Sequence, residues 1–238
     1  MIPLVYDQIN HWGKDDEFFL ALLKRLKLEF IADLGCGTGR WTIHLVQHGY
    51  NITAIDPNKE AIEVARIKDD SGNVKWIVGD SSDLQTNTYD AVVMTANVAQ
   101  VFLTDDSWKQ VIADVFRSLK KGGHFIFDTR NPLVKVWKEW EKDTNPDLAK
   151  DKQSGDPLEI YTEYEGFEGD IYTFYETVKN TKIDKVLVHE KMQLRFRNQE
   201  DYDESLKQIG FSKIETYGDW EFKYANSENG SFIYHCVK

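Results

Sequence analysis

The stretch from Ile31 to Arg40, reading IADLGCGTGR, constrains this chain more than any other. Ile31, Ala32 and Leu34 form a short apolar run that suits a buried strand. Gly35, Gly37 and Gly39 follow on alternate positions, ahead of an apolar-periodic segment from Trp41 to His48. The order is strand, glycine loop, helix. Glycine serves where the backbone takes positive φ, or where a ligand comes closer than a Cβ allows. Three glycines in this loop therefore imply a small molecule lying against the main chain. The helix start behind the loop offers unpaired N–H groups to a carboxylate or a phosphate.

A second apolar strand, Ile52 to Ile55, ends in Asp56. That acid lies about 20 residues past the loop, where nucleotide-binding folds hold the ribose hydroxyls. Pro57 and Asn58 then stop the strand and cap the next helix. The pyrophosphate fingerprint GxGxxG needs a glycine where this chain has Arg40. Asp33, directly before the loop, repels a pyrophosphate but attracts an ammonium group or ribose hydroxyls. A nucleoside with a zwitterionic amino-acid tail fits this pattern better than a dinucleotide.

Around the loop, the apolar periods give helices at 14–28, 40–48, 59–68 and 105–119, and strands at 51–55, 74–78, 90–94 and 123–128. Helices alternating with short strands imply a doubly wound, mostly parallel sheet covered on both faces, with ligands beyond the carboxyl ends of the strands. Past Pro132 the character changes. Residues 134–140 read as one helix with Val136, Trp137 and Trp140 inward, and 142–156 as a polar surface linker. The period then switches to two. Leu158–Glu165, Ile171–Lys179 and Val186–Phe196 read as an antiparallel lid of about three strands. A helix over 200–209 stops at Gly210, and strands at 211–217 and 231–237 return to the main sheet.

DLGCGTG followed by AID resembles the first two motifs of the class I S-adenosylmethionine-dependent methyltransferases. The likeness continues in family order through GDSSDL at Gly79–Leu84, YDAVVMTANVAQVF at Tyr89–Phe102 and LKKGGHFIFDTRNP at Leu119–Pro132. The resemblance implies a Rossmann-like α/β sheet of seven strands, the last antiparallel, with an inserted β lid. It divides the chain into a cofactor-binding core at 1–130, an inserted helix and lid at 131–197, and a C-terminal helix and strands at 198–238. The cofactor it implies is S-adenosylmethionine, leaving as S-adenosylhomocysteine, with no metal. Asp33, Gly35, Cys36, Gly37, Thr38 and Gly39 would line the cofactor, and Asp56 with Pro57 would hold the ribose. Asp80 and Ser81 would meet the adenine, and Thr95, Ala96, Asn97 and Val98 would border the methionine moiety. A looser likeness to glycine and aminosugar N-methyltransferases implies that the segment with Tyr6 and Asp7 folds over the methionine end; a simply packed terminus is the other reading.

The bland readings stand beside these. Asp56 and Asp80 are also good cap or turn residues, Asp33 can orient the loop without touching a ligand, and Cys36 is small. Asn97, Gln100, Asp128, Arg130 and Asn131 sit at strand ends and can line an acceptor pocket, but no residue declares itself as a general base. His124 begins its strand on the far side, and His44, His48 and His189 fit solvated or structural roles. Arg195 and Arg197 share a strand face with Lys191 and can grip an anionic substrate group; a solvated face is the commoner explanation. Tyr175 and Lys179 spell the YxxxK of short-chain dehydrogenases, but in a period-two strand their side chains stand too far apart to cooperate.

Charge narrows the partners. The 238 residues carry 29 basic and 40 acidic side chains, a net charge of −11, so polyanions such as nucleic acid are disfavoured. Two cysteines are too few for a disulfide framework or metal cluster. With neither a signal-peptide pattern nor a bilayer-length apolar run, the expectation is a cytoplasmic enzyme acting on a small molecule. A methyltransferase of RNA or protein, or a module that binds the cofactor without chemistry, are the competing readings.

Overall fold

The computed structural model describes residues 2–238. The N-terminal segment forms a single helical turn, α1 (Tyr6–Ile9), followed by α2 (Lys14–Arg25). The core then alternates β1 (Phe30–Leu34), α3 (Arg40–Gln47), β2 (Asn51–Asp56), α4 (Lys59–Lys68), β3 (Lys75–Val78), β4 (Tyr89–Met94), α5 (Asp105–Ser118) and β5 (Leu119–Arg130). After α6 (Trp137–Trp140) come the strands β6 (Asp147–Lys150), β7 (Pro157–Glu168), β8 (Ile171–Asn180) and β9 (Lys185–Arg195). The chain returns through α7 (Gln199–Ile209), β10 (Lys213–Gly218) and β11 (Ser231–Val237).

The main sheet has seven strands in the order β10-β11-β5-β4-β1-β2-β3. Strands β1 to β5 pair in parallel, and β11 runs antiparallel to both β5 and β10. Period-two alternation divides the core. Phe125 and Phe127 face one layer with Trp108, Val111 and Val115 of α5 and Tyr202 and Leu206 of α7. Ile126 faces the other, with Phe18, Phe19 and Leu23 of α2 and Trp41 and Leu45 of α3.

A separate antiparallel sheet, β6-β7-β8-β9, forms the lid. It has four strands rather than three, because β6 lies inside the stretch whose polarity reads as linker. Only Ala149 of β6 is buried, so no apolar period betrays it. Long-range partners hold it instead. Gln8 of α1 donates to the Lys150 carbonyl at 2.8 Å and accepts the Lys150 N–H at 3.0 Å. Ile2 and Val5 pack with Ala149, Leu158, Ile160 and Val178, so the N-terminal segment belongs to the lid's core.

Two further expectations are corrected: the single helix over 134–140, and the period-two reading of Val186–Phe196 that puts Val186 on one face with Val188, Met192, Leu194 and Phe196. Residues 134–140 do not form one helix: Pro132–Val134 makes a 3₁₀ turn, Lys135 takes φ 55°, and helix resumes only for the single turn of α6. In β9, Val178 pairs with Val188 but Lys179 pairs with Val186, so Leu187 is an extra residue. That bulge turns Val186 away from the inner face of the lid and leaves it 52% exposed.

Candidate active site

The loop after β1 needs its glycines. Gly35, Gly37 and Gly39 take φ of 82°, 55° and 74°. A Cβ on Gly35 would lie 2.7 Å from both Val98 methyl groups, and one on Gly39 would lie 2.4 Å from the Trp76 ring. Asp56, at the end of β2, accepts the Gly37 N–H and the Asn58 N–H, each at 2.8 Å, and so fixes the loop. Burial raises its carboxyl, and those two donors work against the rise. Asn58 in turn caps α4 by accepting the Ala61 N–H.

Asp33 is buried beneath the loop, where one oxygen accepts from the Thr42 hydroxyl while Oδ1 has no partner. Burial pushes this carboxyl up to about 7. Arg40, at the position where a dinucleotide fingerprint has glycine, makes a bidentate pair with Asp16 of α2 at 2.8 and 2.9 Å. A loop with glycine at every other position above a carboxylate oxygen with an open lone pair suits an ammonium or hydroxyl ligand and disfavours a phosphate. The residues present therefore fit an adenosyl amino acid.

The facing wall is the turn after β4. Ala96 and Asn97 both take left-handed backbone, and the Asn97 N–H donates to both Asp128 oxygens, at 3.1 and 3.0 Å. Asp128 is fully buried, and burial pushes its carboxyl up to about 7. Two residues further along β5, Arg130 donates to Gln100 Oε1 at 2.8 Å and stacks its guanidinium 4.9 Å from the Trp140 ring centre. Burial lowers the Arg130 pKa against the attraction of Asp128 and Tyr6. Gln100, itself buried, donates to the Arg195 carbonyl in β9 at 3.3 Å, which ties this wall to the lid. Asn131 lies just outside, capping the turn at Pro132 and bonding to the Ser227 and Asn229 carbonyls.

The N-terminal segment closes on the glycine loop. Thr38 donates its hydroxyl to Asp7 at 2.6 Å, and Lys68 of α4 donates to the other Asp7 oxygen at 2.6 Å. Burial opposes the Asp7 charge, but the bonds from Lys68 and Thr38 hold its carboxyl below the usual range. Tyr6 is half-buried and within electrostatic reach of Arg40, Asp16 and Asp15, and burial raises its pKa. Farther out, Asp80 is exposed and caps a 3₁₀ turn by accepting from the Ser82 hydroxyl and N–H, bonds that lower its pKa. Ser81 donates its hydroxyl to Asp114 at 2.8 Å.

Several candidates are engaged elsewhere. Arg195 bonds Asp170 and Asp105, each at 2.7 Å, and Arg197 donates to the Phe102 and Thr104 carbonyls while lying 2% exposed. These bonds join the end of β9 to the core, while Arg197 Nε and Nη1 stay buried without a hydrogen-bond partner. Tyr175 donates to Glu165 and Lys179 pairs with Asp184, so the YxxxK pair does not meet. His124 shares a hydrogen bond with His235 six residues before the Arg130 end of β5, and His189 bonds Thr177 on the lid. Burial pushes the Cys36 thiol far up, which makes it a poor nucleophile. Sequence reasoning missed Asp15 and Asp16, because acids in a first helical turn read as ordinary dipole complements.

Residues 31–123 match the family model described as a methyltransferase domain. The chain is 24% identical over 260 residues to a glycine/sarcosine N-methyltransferase of Aphanothece halophytica, across 98% of this chain and 86% of that protein. A S-adenosylmethionine-dependent methyltransferase of Clostridium acetobutylicum has a similar structure, with a TM-score of 0.75 at 21% identity over 97% of this chain and 93% of that one. The sugar N-methyltransferase KedS8 of a Streptoalloteichus species gives 0.71 at 17% identity, over 96% and 88%. The two structural likenesses establish the fold.

Proposed function

We propose that this chain, a class I S-adenosylmethionine-dependent methyltransferase, methylates the nitrogen of a small amine that also carries an anionic group. When bound, the cofactor supplies an activated methyl carbon open to in-line displacement, so the protein's work is alignment and exclusion of water. Asp33 would receive the amino-acid ammonium, the loop from Gly35 to Gly39 its backbone, and Asp56 the ribose diol. Asp80 and Ser81 would border the adenine, and Thr95 to Val98 the methionine chain.

One observation carries the choice of substrate. Arg130 is a guanidinium held between Gln100 and Trp140 at the end of β5, beside Asp128 and within reach of Tyr6. An oriented, largely desolvated fork of this kind receives a carboxylate or phosphate strongly. It takes over the role that the sequence offered to Arg195 and Arg197. Nitrogen is favoured over oxygen because a neutral amine needs no base, and five of the six histidines, His44, His48, His124, His189 and His235, are engaged off this wall. The relatives similar over nearly the whole chain include N-methyltransferases of an amino acid and of a sugar by name.

Labelled-methyl transfer to amino acids, amino sugars, hydroxy acids, phenols and bulk RNA tests the reading. The expected product is an N-methylated anionic amine, with KM raised about 30-fold or more in Arg130→Met and kcat changed less. Transfer confined to hydroxyl groups or RNA, or an unchanged KM in that variant, would overturn it.

A further inference from the structure

Ala96 and Asn97 are consecutive residues with side chains at φ 57° and 62°. Residues with a Cβ avoid this region, alanine more than asparagine, and a consecutive pair of them persists only where the surroundings over-determine the backbone. Here Asp128 supplies the constraint. Its fully buried carboxylate takes the Asn97 N–H on both oxygens, and the Gln100 N–H closes the turn on the Asn97 carbonyl at 2.9 Å. The turn delivers Val98 against Gly35, with both methyl groups 2.7 Å from where a Cβ on that glycine would stand. It also leaves Asn97 Oδ1 buried without a partner.

We propose that Asp128 is a positioning residue, whose carboxylate holds the Ala96–Asn97 turn in its left-handed form and thereby sets the spacing between the acceptor wall and the glycine loop. The inference deepens the reading of this wall as the acceptor side of the site and rests on it. Charge-assisted acceptance of an N–H is stronger than acceptance by a neutral acid, so the hold weakens when Asp128 takes up a proton. Arg130 on the same strand favours the carboxylate, and Asp15 of α2 disfavours it. Asp15 is itself raised by burial and by Asp16.

Nuclear magnetic resonance of the ligand-free protein reads the contact directly. The Asn97 amide is expected to titrate with the same midpoint as the Asp128 carboxyl carbon, and Asp128→Asn, which keeps the shape of the side chain, is expected to abolish that titration. Calorimetry with S-adenosylhomocysteine reads the consequence. Asp128→Ala is expected to weaken binding about tenfold or more. Adding Ala96→Gly is expected to restore part of that loss, since glycine takes the left-handed form without strain. An Asn97 amide that ignores Asp128 would overturn the proposal, as would unchanged affinity in Asp128→Ala or a loss that Ala96→Gly does not relieve. If the wild-type chain bound no S-adenosylhomocysteine, the cofactor reading would fail while the resonance experiment still decided the positioning role.

Discussion

Gly35→Ala isolates the contact on which the site's spacing depends. The new Cβ would lie 2.7 Å from each Val98 methyl group, where carbon atoms prefer about 3.5–4.0 Å, so Val98 must retreat by about 1 Å. Holding an alanine at φ 82° costs about 1–2 kcal/mol, and overpacking adds about 1–3 kcal/mol. The expected loss of folding stability is therefore about 2–5 kcal/mol. Val98→Ala removes both methyl groups and leaves only the Val98 Cβ at 3.3 Å. In the double variant the overpacking portion should return, giving a coupling energy of about 1–3 kcal/mol while the backbone portion remains. Urea unfolding of the four proteins measures these quantities. Strict additivity, or a Gly35→Ala variant as stable as wild type, would refute the packing argument.

The histidine pair formed by His124 of β5 and His235 of β11 makes a pH prediction. Burial pushes His235 down to about 4, with His124 adding to the fall, so the unfolded chain binds the proton more readily than the folded one. Its contribution is whole above about pH 6.5 and is lost as pH falls toward 4, about 3 kcal/mol in all. Asp33 and Asp128, both raised to about 7, act in the opposite sense, gaining stability as pH falls from about 7 toward 4. The comparison must therefore be with His235→Phe: wild type should lose ground to that variant across the window, and a pH-independent difference in unfolding free energy would exclude the linkage. Asp16→Ala should cost about 1–3 kcal/mol in urea unfolding, since it breaks a partly buried bidentate pair with Arg40 and removes the acceptor of the Gly13 N–H; a loss under about 0.5 kcal/mol would show the pair to be idle.

The features legible in the sequence were those whose cause is local. Glycines at 35, 37 and 39 encode positive φ by themselves, and Asp56 at a strand end is placed by the length of one βα unit. What stayed hidden depends on contacts across the chain. The strand β6 exists because Gln8, Ile2 and Val5 cover it, roughly 140 positions earlier in the sequence. Arg197 continues the polar alternation two residues past β9 yet is buried, because the chain there folds onto the Phe102 and Thr104 carbonyls. The left-handed Ala96 and Asn97 carry no turn-forming glycine, and the contacts that accompany them, from Asp128 and from the Gln100 N–H, come from beyond the turn's own two residues.

Calorimetric titration with S-adenosylhomocysteine, beside a reduced nicotinamide dinucleotide, tests the central claim most directly: that the alternate glycines and Asp56 cradle an adenosyl amino acid. One-to-one binding of the first ligand is expected, with no heat from the second. Asp56→Ala, which frees the Gly37 and Asn58 N–H groups, is expected to weaken binding about 30-fold or more. Binding of the dinucleotide in preference, or an Asp56→Ala protein that binds as tightly as wild type, would contradict the account.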